Sequence, residues 1–275
     1  IEQLLLPVDY THPAEKTSFD VISKDINATV TLQLRETAAK QNTTLFVLLL
    51  SAFKLLLANY TAQDDIISLV GFDNNLLPEN NNAFDGIIYL PVRIVVDGDA
   101  SFARLLATVN EATKLAKQNA GTSYKLLIEE ILPGDKNKQA DLFKAIFLML
   151  PQKNNREPAK EPGDPPVKTD VTLRIIEKQD GLWLHIDYCT QLFTANTISR
   201  MMVHYIEILF SIAVNEQQST GTINMLAEEE KHRLLNFYNN TVKYPKEKTV
   251  IDLFTGYAKK FPGDTALVFE NKTLT

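Results

Sequence analysis

His185 and Asp187 stand two residues apart in the run G-L-W-L-H-I-D-Y-C, and in an extended strand that spacing puts both on one face. An imidazole and a carboxylate so placed can share a ligand or pass a proton. The same alternation sends Leu182, Leu184, Ile186 and Tyr188 inward, so the polar outer face of a hairpin is the preferred account of the pair. His204 interrupts an apolar helical stripe and is expected on its solvent side. His12, in a proline-flanked loop, and His232, on a charged terminal helix, have no adjacent partner. Cys189 ends a strand with no basic neighbour or second thiol to lower its pKa, which describes an inert buried thiol. Asp64-Asp65 at a strand start and Glu129-Glu130 on a helix are expected to be solvated edges rather than acid–base couples. The sequence holds no G-x-S-x-G, no P-loop, no G-x-G-x-x-G and no metal-ligand cluster. No catalytic, cofactor-binding or metal residue is therefore assigned.

Composition narrows the classes further. The chain has 275 residues, 45% hydrophobic and 23% charged, as in an ordinary soluble globular protein. With 28 basic against 34 acidic residues and a net charge of −6, it lacks the basic surface that a sequence-independent nucleic-acid binder needs. One cysteine excludes an intrachain disulfide and a four-thiolate zinc site, and it fits a reducing, cytoplasmic compartment. The most apolar run, Leu45 to Tyr60, is broken by Ser51 and Lys54 and is shorter than the ~20 residues of a membrane span. A buried helix is expected there, and no membrane partner. The first residue is Ile1, and I-E-Q-L-L-L-P is unlike a signal peptide, so a piece of something longer is expected.

The positioning elements follow in order. Leu6 to Pro13 is an extended, proline-marked loop, Phe19 to Ile26 a strand, and Thr29 to Gln41 a helix with Asn27 near its cap. Thr43-Thr44 can cap the central helix Leu45 to Tyr60. Asp65 to Val70 and Ile87 to Val96 are strands flanking an Asn-rich loop, Asp73 to Asn82. Ser101 opens a helix to about Gln118, with Phe102, Leu105, Leu106, Val109 and Ala112 at helical spacing. A shorter helix, Tyr124 to Leu132, ends at Pro133-Gly134. Leu142 to Leu150 is a strand, Lys153 to Pro166 a proline-rich surface loop, and Asp170 to Glu177 with Gly181 to Tyr188 a hairpin. Ala195 to Val214 carries a 3.6-period apolar stripe, and Leu226 to Tyr238 is a last short helix with three glutamates in its first turn. The order β, α, α, β, β, α, α, β, β, β, α predicts an α/β fold, helices packed on a mixed sheet.

The segments D-Y-C-T-Q-L-F-T (Asp187 to Thr194), E-E-E-K-H-R-L-L-N-F-Y-N-N-T (Glu228 to Thr241), Tyr244-Pro245 and Thr249 to Thr275 resemble, in order and spacing, the junction between a condensation domain and an adenylation domain of nonribosomal peptide synthetases. L-P-V-D-Y-T-H-P (Leu6 to Pro13), the run Thr43 to Ile66, L-P-V-R (Leu90 to Arg93), S-Y-K-L-L-I-E-E-I (Ser123 to Ile131) and D-L-F-K-A-I-F (Asp141 to Phe147) are similar to successive condensation-domain segments. The departures are equally definite. Ile88-Tyr89 stands where the family has V-N-T, only Gln118 and Tyr124 survive of [HN]-Q-D-x-P-F-E, and Asp135 to Leu142 replaces R-D-x-S-R-N-P-L. Arg93 matches its motif position, with a structural ion pair at a strand end as the preferred role.

The resemblance implies one lobe of a chloramphenicol-acetyltransferase-like fold, residues 1–225 as the C-terminal lobe, 226–248 as linker and 249–275 as the truncated start of an adenylation domain. It implies a parent that joins aminoacyl or peptidyl units carried as phosphopantetheine thioesters, the acceptor amine attacking the donor thioester beside an H-H-x-x-x-D-G motif on the first lobe. That motif is absent from the chain. The piece is therefore expected to supply a tunnel wall and latch, to be inactive alone, and to need no cofactor, while the parent uses loaded carrier domains and the ATP and Mg of its adenylation domain. The implied partners are the N-terminal lobe and the adjacent adenylation and carrier domains. A non-catalytic docking scaffold and a stand-alone acyltransferase of the same fold are the alternatives. A lone lobe is also expected to expose an apolar tunnel wall and to self-associate.

Overall fold

Four polar residues start the four main helices, and each does so by the same bond. Asn27, Thr44, Ser101 and Thr194 accept the amides of Val30, Val47, Arg104 and Thr197, three residues on, supplying partners to helix N-termini that have none of their own. In the computed structural model, which describes residues 3–11, 17–73, 86–120, 128–130, 134, 142–151, 169–237, 247–270 and 272–275, these caps open α1 (Ala28–Lys40), α2 (Leu45–Thr61), α3 (Phe102–Gln118) and α4 (Ala195–Val214). The Asn-rich loop beyond Asp73, the loop Lys153 to Pro166, His12, and all but Ile128, Glu129 and Glu130 of the helix expected at Tyr124 to Leu132 lie outside the described residues.

The strands are β1 (Phe19–Asn27), β2 (Asp65–Asp73), β3 (Ile87–Val95), β4 (Ala145–Pro151), β5 (Val171–Lys178) and β6 (Gly181–Cys189). They form one mixed sheet in the order β1-β6-β5-β4-β2-β3, with β4 parallel to β2 and β5 and the other pairs antiparallel. The expected fold class, helices on a mixed sheet, is the one observed. β4 begins three residues later than the sequence pattern places it, and Leu142 and Phe143 ahead of it pack in a small second core with Ile67, Leu69, Tyr89, Ile128 and Ile146. The hairpin turn between β5 and β6 is drawn tight against β1. Gly181 has φ +152°, and a Cβ there would collide with the Ile26 carbonyl oxygen.

All four helices lie on one face of the sheet, where Ile66, Val70, Val92, Phe147, Leu173, Ile175, Leu184 and Ile186 form the main core with α2 at its centre. α2 is buried on nearly every side, so its polar side chains must find backbone partners. Ser51 Oγ donates to the Val47 carbonyl, and Lys54 Nζ donates to the Val92 carbonyl at 2.6 Å and the Ile66 carbonyl at 3.4 Å. α4 is long and apolar enough to cross a membrane, but its stripe of Ile198, Met201, Met202, Tyr205, Ile208, Leu209 and Ile212 is fully enclosed in this core. Tyr205 donates from within it to the Leu49 carbonyl at 2.9 Å. The segment before β1 is tied down by Asp9, whose carboxylate accepts the Thr194 amide at 2.7 Å and the Thr197 hydroxyl at 3.0 Å at the start of α4.

Two compact units divide the chain, Ile1–Ala227 and Glu228–Thr275. The second holds α5 (Glu228–His232) with a π-helical turn after it, α6 (Val250–Lys260) and a hairpin of β7 (Leu267–Phe269) and β8 (Lys272–Leu274). A capping box between Thr249 and Asp252 starts α6. Val250, Ile251, Phe254 and Tyr257 of α6 and Leu267, Val268 and Phe269 of β7 are exposed, a denser run of exposed apolar side chains than the scattered ones of the first unit.

Burial pulls the Lys54 ammonium down from 10.5 to about 7, against the opposing charge of Asp65. The unfolded chain therefore binds more protons than the folded one between pH 7 and 10.5, and stability rises with pH across that window. Below pH 7 the folded state carries the whole cost of the buried charge, on the order of 5 kcal/mol relative to a neutral amine. Lys54→Met is expected to raise the urea midpoint at pH 6, and to lose that advantage progressively between pH 7 and 10; a midpoint that falls at pH 6 contradicts this account. For Asp9, burial raises the carboxyl pKa, but the Thr194 amide and the Thr197 and Thr194 hydroxyls, helped by Arg200, outweigh it and leave the pKa lowered. Asp9→Ala is expected to cost about 1 kcal/mol at pH 7. Its difference from the parent should close in acid, as pH falls through the lowered carboxyl pKa, measured by urea unfolding at pH 7 and pH 2.5.

Candidate functional site

The sheet face away from the helices is where polar side chains gather. Register sets it: Val21, Ser23 and Asp25 of β1 lie beside Asp187, His185 and Trp183 of β6, which lie beside Thr172, Arg174 and Ile176 of β5. The two residues of the H-x-D pair do share this face, but each takes a partner on another strand. His185 Nδ1 is 2.8 Å from Ser23 Oγ, and Arg174 donates to Asp187 at 2.9 Å. Trp183 meets the His185 ring edge-on, with centroids 4.2 Å apart. Lys178 stands over the Trp183 ring at 4.4 Å and pairs with Asp25 at 3.0 Å.

The polar outer face expected of the hairpin is the one observed, although His185 on it is only 7% exposed. The neighbouring ring and the two flanking strands cover it. Burial first, then the Arg174 and Lys178 cations, pull its pKa down to about 4 against the opposing Asp25 charge. The imidazole is neutral at pH 7 and a weak base. Nε2, where a catalytic dyad would need an orienting acceptor, is buried with no partner among the described residues. Ser23 and His185 therefore make a structural bond rather than an activated nucleophile.

The expectation for His204 is corrected. It is 6% exposed, and its Nδ1 is 2.8 Å from the Tyr60 hydroxyl, joining α4 to α2 instead of facing solvent. Cys189 is a buried free thiol, while Glu129, Glu130 and His232 are exposed. Arg93 makes the strand-end ion pair expected of it, a two-pronged one with Asp65 at 2.8 and 2.6 Å, and hydrogen bonding from Arg93 holds the Asp65 carboxyl below its usual range. The sequence gives no sign of two further pairs. Lys144 and Asp170, both buried, approach to 3.9 Å where the parallel strands β4 and β5 begin, and Arg35 pairs with Glu177. Among the described residues no group of three His, Cys, Asp or Glu side chains can hold a metal ion.

The named polar pairs of this face are thus engaged with one another, and comparison with known proteins turns on the frame around them. A family model described as Condensation domain matches residues 1–235. Tyrocidine synthase 2 of Brevibacillus parabrevis is 29% identical over 283 residues, covering 98% of this chain and 8% of its own length. Bacitracin synthase 3 of Bacillus licheniformis is 30% identical over 290 residues, covering all of this chain and 4% of its own length. The chain thus spans a small part of these curated relatives. Among solved structures, a four-domain nonribosomal peptide synthetase bound to AMP and glycine superposes with a TM-score of 0.79 at 15% identity, over 98% of this chain and 22% of that one. The condensation domain of the Monacolin K polyketide synthase gives 0.66 at 18% identity, over 78% of this chain and 52% of that one. Those two likenesses speak for the fold, which is the chloramphenicol-acetyltransferase-like fold of condensation domains. With the family match running from the first residue through the sheet, its helices and α5, the chain belongs to the condensation-domain family of nonribosomal peptide synthetases.

Proposed function

We propose that residues 1–225 act as the C-terminal lobe of a condensation domain, that residues 226–248 link it onward, and that residues 249–275 open an adenylation domain. The observation that carries this reading is extent. The described frame, one six-stranded sheet with helices on a single face, corresponds to about half of a solved condensation domain, 52% in one case and 47% in another. The capped helix α6 and the β7–β8 hairpin are consistent with the opening of a further domain, since their apolar side chains have no core of their own.

In this role the lobe is one wall of the space in which two carrier-bound thioesters meet. The acceptor amine attacks the donor thioester carbonyl, a C–N bond forms, the C–S bond breaks, and the phosphopantetheine thiol leaves. The lobe's contribution is placement of the reactants. Its buried histidines are spent on Ser23 and Tyr60, so no catalytic residue is assigned to it. ATP and Mg belong to the parent's adenylation chemistry; among the described residues no group of three His, Cys, Asp or Glu side chains can hold a metal ion. The working partners are the first lobe and the neighbouring adenylation and carrier domains, in a cytoplasmic enzyme.

A second reading, a scaffold that docks partners without chemistry, is favoured by one observation. Where the family has V-N-T, Ile88 packs against the main core and Tyr89 is buried in the small one, so this segment is committed to packing. Condensation assays with carrier-loaded donor and acceptor separate the readings. The 275-residue chain alone is expected to give no amide product, and turnover by it would overturn the assignment of chemistry to the other lobe. Supplying an active first lobe as a separate chain is expected to restore product if this lobe is a working wall, and to leave the reaction dead if it is a scaffold.

A further inference from the structure

Among the described residues β1 and β3 are the two edges of the sheet, and only β3 carries a proline. The Val96 amide bonds to the Asp64 carbonyl, so along β3 the even-numbered residues turn their backbone groups to β2 and the odd-numbered ones turn outward. Pro91 is among the outward ones and has no N–H to offer, a usual protection at an edge. At the other side the Thr190 amide bonds to the Ser18 carbonyl, so Asp20, Ile22, Lys24 and Ile26 face β6 while Val21, Ser23 and Asp25 point their N–H and C=O groups outward. β1 contains no proline or glycine. Of those outward groups only the Val21 amide has a partner among the described residues, the carboxylate of Asp20 at 2.8 Å. Val21 is 41% exposed, and Lys24 is exposed with no ion-pair partner among the described residues.

We propose that β1 is a self-pairing edge, on which β1 of a second copy of this chain adds antiparallel about a two-fold axis through Ile22, joining two six-stranded sheets. The sequence F-D-V-I-S-K-D-I-N is self-complementary in that register alone. Val21 falls opposite Ser23 of the other copy, as the hydrogen-bonded pair that their outward backbone groups require. Ile22 falls opposite itself, and Asp20 opposite Lys24, twice, in non-hydrogen-bonded pairs where side chains approach most closely. Moving the axis two residues either way sets Asp20 against Asp20 or Lys24 against Lys24. Pairing also gives the Val21 amide a carbonyl partner in place of the Asp20 carboxylate, which keeps its hydrogen bond with Tyr188 beside the opposing lysine. Two edge strands bury less area than a standard stable interface, so the dimer is weak and depends on concentration.

Cross-linking tests both the partner and the register. Asp20→Cys and Lys24→Cys change exposed side chains, and the native Cys189 is buried, so the chain stays folded and the parent serves as the uncross-linked control. Opposed non-hydrogen-bonded residues have the Cα separation a disulfide needs, whereas two copies of residue 20 lie roughly 13 Å apart along the strands. Mild oxidation is expected to give a disulfide dimer when the two variants are mixed and little when either is alone. Equal cross-linking in the single-variant samples, or none in the mixture, overturns the proposal. In sedimentation velocity, Asp20→Lys is expected to weaken association at least about tenfold, and the swap Asp20→Lys with Lys24→Asp to restore it to within about threefold. A monomer at every concentration, or a swap that fails to rescue, equally overturns it.

Discussion

A helix that is apolar on every side must be covered on every side, and α2 imposes that condition on the rest of the first unit. The sheet covers one side through β2 and β4, while α1, α3 and α4 close the others. Three helices gathered around a fourth leave no room for a second helical layer, so all four lie on one face of the sheet. The same condition explains the internal polar bonds. Ser51, Lys54 and Tyr205 lie where water cannot reach, and each donates to a backbone carbonyl of α2 or the strands beneath it. Lys54 is the least comfortable of these, since two carbonyl contacts do not compensate a full charge and its proton affinity falls accordingly.

With the helices committed to one face, the other face divides in two. Around β2, β3 and β4 it is apolar and is covered by Ile128, Leu142 and Phe143. Around β5, β6 and β1 it is polar, and its groups neutralise one another in pairs: Ser23 with His185, Arg174 with Asp187, Asp25 with Lys178. A catalytic constellation needs groups left unspent and aimed at a space a substrate can enter. Here His185 Nε2 and Arg174 Nε lack partners among the described residues, but both are buried.

How much of this could be read from the sequence depends on the distance over which each feature is decided. Caps and helices are settled within a turn of chain, and Asn27, Thr44 and Ser101 announce theirs plainly. The β5–β6 hairpin is equally local, closing at Gly181 between two alternating strands. The burial of the two histidines is decided over long range, because their partners are remote. Tyr60 lies 144 residues before His204 and Ser23 lies 162 before His185, and no local pattern carries that information. The strand order was out of reach for the same reason, since β4 sits between β2 and β5 only after two long connections have folded back. Lys54 was visible as a break in an apolar run, yet its burial follows only from helices packing on all sides of α2.

The same division explains why kinship was easier to recognise than activity. The family match runs over residues 1–235, which take in α2, β2, β5, β6 and α4, where packing sets residue size and polarity over long stretches. Ile88-Tyr89, where the resemblance has V-N-T, is absorbed into packing. On a strand, adjacent residues face opposite sides, so Ile88 joins the helix-side core and Tyr89 the small core opposite. An asparagine at Ile88 would need buried hydrogen-bond partners that this core does not offer, whereas an isoleucine needs none. Packing on both sides of the strand thus accommodates Ile88 and Tyr89 with no additional buried polar group at Ile88 to satisfy.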